Sequence, residues 1–412
     1  MTDPRFPRHE SGNSRYGLCM NDLTGTVTRP DPLARARELG PALEAAADEI
    51  ERTQRIPEPL LSDLHAARLF RMLLPRSVGG DEVEPWVYLH AVEEIARHDG
   101  SVGWNVFVGN SSALIAPFIP VESARTIYAD PRAVIAWGPP NACRAIAAPG
   151  GYRVTGRWDF ASGCRQATWM GAHGHVVEPD ASLRLNAAGR PTVRTLLFPV
   201  AQAQLLDTWN VIGLRGTASD SYTVTDVFVP EAFSGTREDP TLRRDPGRLY
   251  AFTMQGIYAV GVAAVGFGIA RAMLEAFIEL ATRKTPRYLS RLADNAVVQS
   301  NVAQMQARLD AARAYLVETL STIWATSGPD TPIDVPARAR VRLVCAHAIQ
   351  TAEAVADYAY KAAGTDAIFL GTAFERRFRD IHTLSQQIQS RAAHFESVGQ
   401  ILLGIEPPGT FL

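Results

Sequence analysis

Cysteine is scarce in this sequence, and its spacing points to neither a disulfide framework nor a zinc site. The 412 residues include four cysteines with no C-x-x-C pair among them: Cys19, Cys143, Cys164 and Cys345. Disulfide-stapled and zinc-stabilised domains need closely spaced or paired cysteines. We therefore interpret the four as free thiols in a reducing, cytoplasmic environment.

An excess of charge of one sign is also missing. Forty-one basic and 43 acidic residues leave a net charge of −2, which does not predict a nucleic-acid or anionic-membrane surface. The longest apolar segment, residues 254–284, is interrupted by Arg271, Glu275 and Glu279 at helical-turn spacing. We assign it to a bundle core and expect no membrane partner. Residues 1–31, rich in Pro, Gly, Asn and charge, have no signal-peptide apolar run and are predicted to be disordered.

Motifs for metals and nicotinamide nucleotides are missing as well. His173 and His175 lie on one face of a predicted strand, but no carboxylate or third histidine accompanies them. No G-x-G-x-x-G phrase follows a predicted strand, so we expect no direct use of NADH or NADPH. We predict no metal site.

What the sequence does contain is three regions of different periodicity. Residues 32–133 show apolar positions three and four apart, the pattern of amphipathic helices. Residues 134–246 carry β-branched and aromatic runs bounded by turn phrases such as PGG and NAAGR. Residues 247–412 return to helical patterns, with four helices of bundle length. We predict an α+β, mainly α, chain with an N-terminal helical domain, a central antiparallel β-barrel or sandwich, and a C-terminal four-helix bundle.

Local phrases within these regions resemble the acyl-CoA dehydrogenase superfamily. LSDLHAARLFRMLLPRSVGGDEVEP is similar to a helix and P-x-x-x-G-G passage of that group, YRVTGRWDFASGCRQATW to a strand pair, and WNVIGLRGTASDSYTVTDVFVP to the end of its β-domain. The resemblance spans about residues 33–404 and implies the same domain order.

The residues argue against dehydrogenase chemistry within that superfamily. Its members remove an α-proton with a carboxylate placed either after an "R-D" phrase of the last helix or near the start of the bundle. After Arg379 and Asp380 this chain reads IHTLSQQIQS, and the bundle begins FTMQGIYAVG. Neither segment contains Asp or Glu, and an amide cannot act as that base near neutral pH.

The chain instead resembles the two-component flavin-dependent monooxygenases of the aromatic hydroxylase type. That resemblance implies an oxygenase component that takes reduced flavin (FMN or FAD) from a separate NAD(P)H-dependent flavin reductase. With O2 it would form a flavin C4a-hydroperoxide and oxygenate a small organic substrate, as a homotetramer. The alternatives are a dehydrogenase or oxidase of acyl-thioesters or nitroalkanes with an atypical base, and a relative that binds no flavin.

The resemblance also implies cofactor contacts. Ser162 matches the hydroxyl near flavin N5, and Trp104 and Phe107 are further candidates for apolar walls. Arg287 matches an arginine that contacts the flavin phosphate of a neighbouring subunit, although Arg283, Lys284 and Arg291 are alternatives. The full expected cofactor set is Trp137, Gly138, Phe160, Ser162, Gly163, Trp169, Arg215 and Arg287.

Histidine is where the chain departs from its resemblance. Hydroxylases of this type often place one histidine in the buried helix after a "GW" phrase and another late in the last helix. This chain has Asn110 and Ser111 at the first place and Gln387 at the second, while His382 lies about one turn earlier. With Ser162, these are the candidate catalytic residues. The missing histidines favour a substrate that needs no strong base, such as an amine, a thioether or an activated ring.

Overall fold

The computed structural model of the chain describes residues 31–187, 189–236 and 239–405. Of these, 56% are helical, which agrees with the mainly helical class predicted from the sequence. The disordered tail predicted for residues 1–31 lies, but for its last residue, outside the described residues.

The N-terminal region contains six α-helices whose boundaries follow proline and capping residues. Pro41 lies in the first turn of the second helix, which is the place in a helix where proline is tolerated. Asp99 caps the buried fifth helix by accepting a hydrogen bond from Val102 N at 2.8 Å. The helices are α1 (Pro32–Glu38), α2 (Gly40–Thr53), α3 (Glu58–Ala66), α4 (Pro85–His98), α5 (Gly100–Ala113) and α6 (Val121–Tyr128).

The β-region forms one eight-stranded sheet around its own apolar core. Its strands are β1 (Ile135–Gly138), β2 (Pro140–Ala148), β3 (Gly151–Ala161), β4 (Trp169–Val177), β5 (Val193–Pro199), β6 (Gln204–Leu206), β7 (Asp220–Pro230) and β8 (Ser234–Gly235). The order is β6-β7-β3-β2-β4-β5-β8, with β1 beside β4.

Two strand pairs correct the antiparallel prediction. Both β1 and β2 run parallel to β4, whereas the other pairs described are antiparallel. Only Pro139 separates β1 from β2, so the two strands form one extended path along β4. A parallel pairing needs a long crossover, and β3 supplies it, because it lies between this path and β4 in the sequence.

The C-terminal region forms the bundle with α7 (Met254–Arg283), α8 (Ala296–Thr326), α9 (Val335–Ala363), α10 (Glu375–Ser385) and α11 (Ala393–Leu402). The last of the four predicted helices is broken into α10 and α11. At the break, Gln387 has extended backbone angles, and its side-chain oxygen accepts a hydrogen bond from Gln389 N at 2.7 Å. The amide therefore caps a short turn instead of continuing the helix.

Helix α7 is the centre of the larger apolar core, which joins the N-terminal helices to the bundle. It is long and apolar enough to cross a bilayer, but 89% of its most apolar window is buried inside the protein. Glycine allows this contact: a Cβ at Gly268 would lie 2.4 Å from the backbone oxygen of Glu93, and one at Gly261 would lie 2.3 Å from the Phe107 ring. Helices α7 and α4 can therefore approach at backbone distance.

Gly268→Ala should lower the free energy of unfolding by about 1–3 kcal/mol, because the added methyl meets rigid backbone and must push α4 away. Gly399→Ala on α11 is the matched control. In the described part of the chain no heavy atom outside its own helical turn lies within 4 Å of its Cβ position, so the better helix propensity of alanine should stabilise the protein by up to about 1 kcal/mol. Urea unfolding measures both, and equal effects would refute the close-packing argument.

Candidate functional site

The Ser162 side chain lies at the turn after β3, where the β-domain faces α5. Its Oγ accepts a hydrogen bond from Trp104 Nε1 at 3.0 Å and lies 2.6 Å from Ser219 Oγ. Ser219 Oγ in turn lies 2.7 Å from Thr217 Oγ1. The three hydroxyls form a continuous chain, and both Ser219 and Thr217 are buried. The hydroxyl of Ser162 is therefore fixed from two sides.

Phe160 lies beside this hydroxyl in an unusual conformation. Its φ is +59°, in the left-handed region that non-glycine residues rarely occupy, and its side chain is 63% exposed. The indole of Trp209 approaches it edge-on at 6.1 Å between ring centroids. A strained backbone that holds a large aromatic ring towards solvent is typical of a ligand-contacting position.

Strand β1 brings two more expected cofactor residues to the same place. A Cβ at Gly138 would lie 1.8 Å from the backbone oxygen of Asp159, so only glycine lets β1 approach β3 here. The neighbouring Trp137 is partly buried and packs edge-on against His173, with ring centroids 4.8 Å apart. Trp137, Gly138, Phe160 and Ser162 thus share one edge of the β-domain.

Gly163 borders a cavity of about 470 Å³ between the end of α2, the start of α3, α5 and the loops 163–166 and 216–218. Its φ of +76° requires glycine, and its N–H donates to Thr217 O at 2.9 Å. Asn105 lines this cavity. Its Nδ2 donates to Gly216 O at 3.0 Å, while its buried Oδ1 has no hydrogen-bond partner among the residues that the structure describes. The cavity is large enough for a small organic molecule.

Aromatic rings connect Ser162 to the break between α10 and α11. Trp104 packs edge-on against Phe107 at 4.9 Å, and Phe107 packs against Tyr258 at 4.8 Å. Burial raises the pKa of the Tyr258 phenol above its usual value, and the side chain of Gln387, which lies near this hydroxyl, opposes the shift. A largely apolar wall with a neutral phenol and an amide at its far end therefore runs from the β-domain into the bundle.

Two family models match the chain, "Acyl-CoA dehydrogenase, N-terminal domain" over residues 36–120 and "Acyl-CoA dehydrogenase, C-terminal domain" over residues 260–391. Together they cover just over half of it. The chain belongs to the acyl-CoA dehydrogenase family. The family and the fold class predicted from the sequence are confirmed.

Curated relatives of this acyl-CoA dehydrogenase family member are monooxygenases. It is 29% identical to the indole-3-acetate monooxygenase of Pseudomonas putida, over 91% of this chain and 97% of that one. It is 27% identical to the FADH(2)-dependent resorcinol hydroxylase, oxygenase component, of a Rhizobium species, over 95% and 100% of the two chains. These relatives have the type of activity that the sequence predicted for this chain.

Among solved structures, XiaF from a Streptomyces species, in complex with FADH2 and glycerol, superposes with a TM-score of 0.84. It is 23% identical, and the match covers 93% of this chain and 98% of that one. At this identity the match establishes the shared fold.

Tyr258, Ser219 and Asn105 are site residues that the sequence analysis missed in this family member. The start of the bundle, FTMQGIYAVG, lacks the carboxylate of a dehydrogenase, but its tyrosine is a polar group within an apolar run. Ser219 lies at the end of the loop phrase GLRGTAS. Their polarity within buried segments was the available signal, since buried polar groups need a partner or a function.

Two predicted cofactor residues, Trp169 and Arg215, make contacts away from the Ser162 hydroxyl. Trp169 stacks on Phe233 with ring centroids 5.6 Å apart, which is a packing contact. Arg215 donates to the backbone oxygens of Glu51 and Val211, at 3.3 and 3.1 Å, and so ties its loop to α2. The roles predicted for Trp169 and Arg215 stay predictions, and these contacts favour structural ones.

Asn110 and Ser111 are buried on α5. The Asn110 side chain accepts from Leu73 N at 3.0 Å and donates to Leu69 O and Val106 O at 2.7 and 2.8 Å. These bonds hold the chain segment after α3 against α5, so we assign Asn110 a structural role. The Ser111 hydroxyl is buried, and its catalytic role stays a prediction.

His382 faces α9 and not the Tyr258–Gln387 pair. Its Nε2 lies 2.9 Å from an Asp357 carboxylate oxygen, its Nδ1 lies 3.5 Å from Glu353, and its ring packs against Phe378 at 4.3 Å. Two neighbouring carboxylates and a partly buried position between helices are typical of a helix-packing histidine. Its predicted catalytic role is therefore not supported by where it lies.

Arg287 is exposed in the loop after α7, with its guanidinium 4.8 Å from the centre of the Tyr288 ring. Each of the three alternative cations forms an ion pair with a carboxylate. The pairs are Arg283 with Glu279, Lys284 with Asp366, and Arg291 with Asp294. Within the described part of the chain Arg287 has no carboxylate partner. Arg287 remains the candidate phosphate contact.

No group of three or more His, Cys, Asp or Glu side chains positioned to hold a metal ion occurs among the described residues. His173, considered above for a metal, instead lies 2.9 Å from Thr195 Oγ1 through its Nδ1.

Asp380 of α10 anchors the loop that carries the hydroxyl chain. Its Oδ1 accepts a hydrogen bond from Leu214 N at 2.5 Å, and a Cβ at Gly213 would lie 2.1 Å from Arg379 O. Burial raises the pKa of Asp380 to about 7, and the nearby carboxylates of Asp99 and Glu51 act in the same direction. Backbone hydrogen bonding and Arg379 oppose the shift.

Asp380→Asn should change the pH dependence of stability. Because the pKa of the folded state, about 7, exceeds the ordinary value of 3.8, the folded protein holds a proton that the unfolded chain loses between these pH values. Wild-type stability therefore falls as pH rises through this window, by at most about 1.4 kcal/mol per pH unit. The asparagine variant lacks this loss, so its stability relative to wild type should increase from pH 5 to 7 and level off above.

Urea unfolding of both proteins at pH 5, 6, 7 and 8 measures this difference. Asp310→Asn, at an exposed position on α8, is the matched control and should show no such trend. A difference between Asp380→Asn and wild type that is constant with pH would mean that Asp380 stays ionised in the folded protein.

Proposed function

We propose that this chain is the oxygenase component of a two-component flavin-dependent monooxygenase. The observation that carries the proposal is the Ser162 hydroxyl, fixed by Trp104 and Ser219 at an exposed aromatic edge of the β-domain. The named activities of the curated relatives support it.

The residues at this edge fit a flavin. The exposed Phe160 ring offers an apolar surface, Trp137 lies on the adjoining strand, and Ser162 offers a hydroxyl at the border. Such a surface suits a planar heterocycle with a polar edge. Reduced FMN or FAD, when bound, supplies together with O2 the oxygenating chemistry. Arg287, with a guanidinium suited to phosphate, would contact the flavin of a neighbouring subunit in a homotetramer.

The substrate would lie against the aromatic wall of Trp104, Phe107 and Tyr258, with Gln387 at its far end. These side chains exclude water and leave one phenol and one amide to orient a polar group. The phenol is neutral near pH 7, because burial raises its pKa. A site without a strong base suits an electron-rich aromatic ring, an amine or a thioether, and the substrates in the relatives' names favour the aromatic ring.

A separate NAD(P)H-dependent flavin reductase would supply the reduced flavin. The chain has no nicotinamide fingerprint, and two-component relatives divide the reaction in this way. We place both partners in the cytoplasm.

The dehydrogenase alternative is weaker. The carboxyl group of the "R-D" phrase, Asp380, is buried and holds Leu214 N. It is therefore committed to loop anchoring and cannot serve as an α-proton base. A relative that binds no flavin would fail the first test below.

Wild-type protein should bind reduced FMN or FAD more tightly than the oxidised form, and NADH alone should not be oxidised. Ser162→Ala should retain the fold, since one hydroxyl contributes about 1 kcal/mol. It should raise the rate of unproductive H2O2 release on the order of 10²-fold, because a fixed polar group in a dry site is lost. Anaerobic titration and H2O2 and product assays measure these quantities.

Ser300→Ala, on an exposed face of α8, is the matched control. If wild-type protein binds neither flavin form, the proposed function is wrong. If Ser162→Ala keeps the wild-type ratio of product to H2O2, the flavin does not lie at Ser162.

Tyr258→Phe should raise the KM for substrate by up to about tenfold without changing flavin affinity, because it removes the hydroxyl that would hydrogen-bond a polar group of the substrate. Tyr315→Phe, at an exposed position on α8, should change neither. Indole-3-acetate and resorcinol serve as probes, with product formation measured in the presence of a flavin reductase. A change in flavin affinity with unchanged KM would place Tyr258 at the cofactor and not at the substrate.

A further inference from the structure

The hydroxyl chain that begins at Ser162 ends at a backbone carbonyl. Thr217 Oγ1 donates to Leu214 O at 2.8 Å, and Thr217 Oγ1 also lies 2.7 Å from Ser219 Oγ. Ser219 Oγ lies 2.6 Å from Ser162 Oγ. Each hydroxyl has one proton, and a carbonyl can only accept. The direction in which one hydroxyl donates therefore fixes the direction in which the other two donate.

In the first arrangement every proton points inward. Ser162 donates to Ser219, Ser219 to Thr217, and Thr217 to Leu214 O. The Ser162 oxygen receives the Trp104 N–H and has its remaining lone pair turned outward. In this inward arrangement Ser162 is an acceptor towards a ligand.

In the second arrangement every proton points outward. Thr217 donates to Ser219, Ser219 to Ser162, and Ser162 to the ligand. Leu214 O then loses the Thr217 hydroxyl but keeps Trp209 Nε1 at 3.0 Å and Thr217 N at 3.2 Å. A mixed arrangement leaves either two oxygens within 2.7 Å of each other with no proton between them, or the Ser219 proton without an acceptor in the chain of hydroxyls, and both are unfavourable. The chain therefore reverses as a unit.

The inward arrangement has one more hydrogen bond inside the protein than the outward one. Ser219 and Thr217 are buried, so water cannot replace the bond that is lost. One hydrogen bond corresponds to on the order of 2- to 12-fold in an equilibrium constant. The protein thus favours an outward-facing acceptor at Ser162 by about this factor.

We propose that Ser219 and Thr217 are positioning residues that turn the Ser162 hydroxyl into an acceptor and so favour reduced over oxidised flavin. The proposal rests on the proposed function. Nitrogen N5 carries a proton in reduced flavin and can donate it, whereas in oxidised flavin N5 is a bare acceptor. The inward arrangement, in which Ser162 accepts, therefore matches reduced flavin, and the outward arrangement, in which Ser162 donates, matches oxidised flavin.

The test uses Thr217→Val and Ser219→Ala in the full chain. Each variant removes the one-bond advantage of the inward arrangement, so we expect the ratio of the oxidised to the reduced flavin Kd to fall on the order of 2- to 12-fold. The two-electron potential of bound flavin should fall by about 10–30 mV, since tenfold corresponds to 29.6 mV. Titration with oxidised flavin in air, titration with dithionite-reduced flavin under argon, and a redox titration measure these values for FMN and FAD.

Thr217→Ser retains the hydroxyl and is the matched control, expected to keep the wild-type ratio. A merely structural role would weaken both flavin forms equally in Thr217→Val and leave the ratio and the potential unchanged. In the Ser162→Ala background Thr217→Val should no longer alter the ratio, because the chain then has no outward end. Thermal unfolding verifies that each variant is folded, and the Thr217→Ser and Ser219→Ala pair tests the chain if the valine variant does not fold.

The outcomes separate this proposal from the proposed function. Wild-type protein that binds no flavin overturns the function. Wild-type protein that binds flavin, with ratios unchanged in both Thr217→Val and Ser219→Ala, overturns the hydroxyl chain and leaves the function standing. If the ratio of the oxidised to the reduced flavin Kd falls in these variants and also in Thr217→Ser, the proposed role of the hydroxyl chain is likewise overturned.

Discussion

The contact between α10 and the loop of residues 213–219 holds the candidate site together. Asp380 accepts the Leu214 N–H, and the Gly213 backbone lies directly against the backbone of Arg379. The same loop positions Thr217 and Ser219, which fix Ser162 on the neighbouring strand end. The last bundle helix thereby sets the geometry of a hydroxyl in the β-domain, although the two segments are far apart in the sequence.

Placing the site at this junction has a physical rationale. The β-domain supplies backbone edges and an exposed ring at Phe160, whereas α5 and α7 supply the aromatic wall of Trp104, Phe107 and Tyr258. Each layer has its own apolar core, so the polar groups between them are held rigidly on both sides. A rigid, dry junction suits chemistry in which water must be kept away from a reactive cofactor.

The structure explains two positions at which this chain differs from the residues expected of its relatives. Gln387, at the place where a histidine was expected, caps the short turn that follows α10 and lies near the Tyr258 hydroxyl. Asp380, which follows the "R-D" pattern of dehydrogenases, is a buried loop anchor whose pKa is raised to about 7. Both positions therefore have structural roles in this chain. The polar groups at the far end of the aromatic wall are the neutral phenol of Tyr258 and the amide of Gln387.

Periodicity and turn phrases determined the order of domains, most strands and the long helices, because these patterns are local. Local phrases also pointed to Ser162 and Phe160. The sequence did not reveal that α10 breaks at Gln387, that β1 and β2 run parallel to β4, or that His382 turns towards Asp357. These features, with the roles of Ser219 and Tyr258, depend on contacts between distant segments. Only the packed tertiary structure decides which buried polar groups meet.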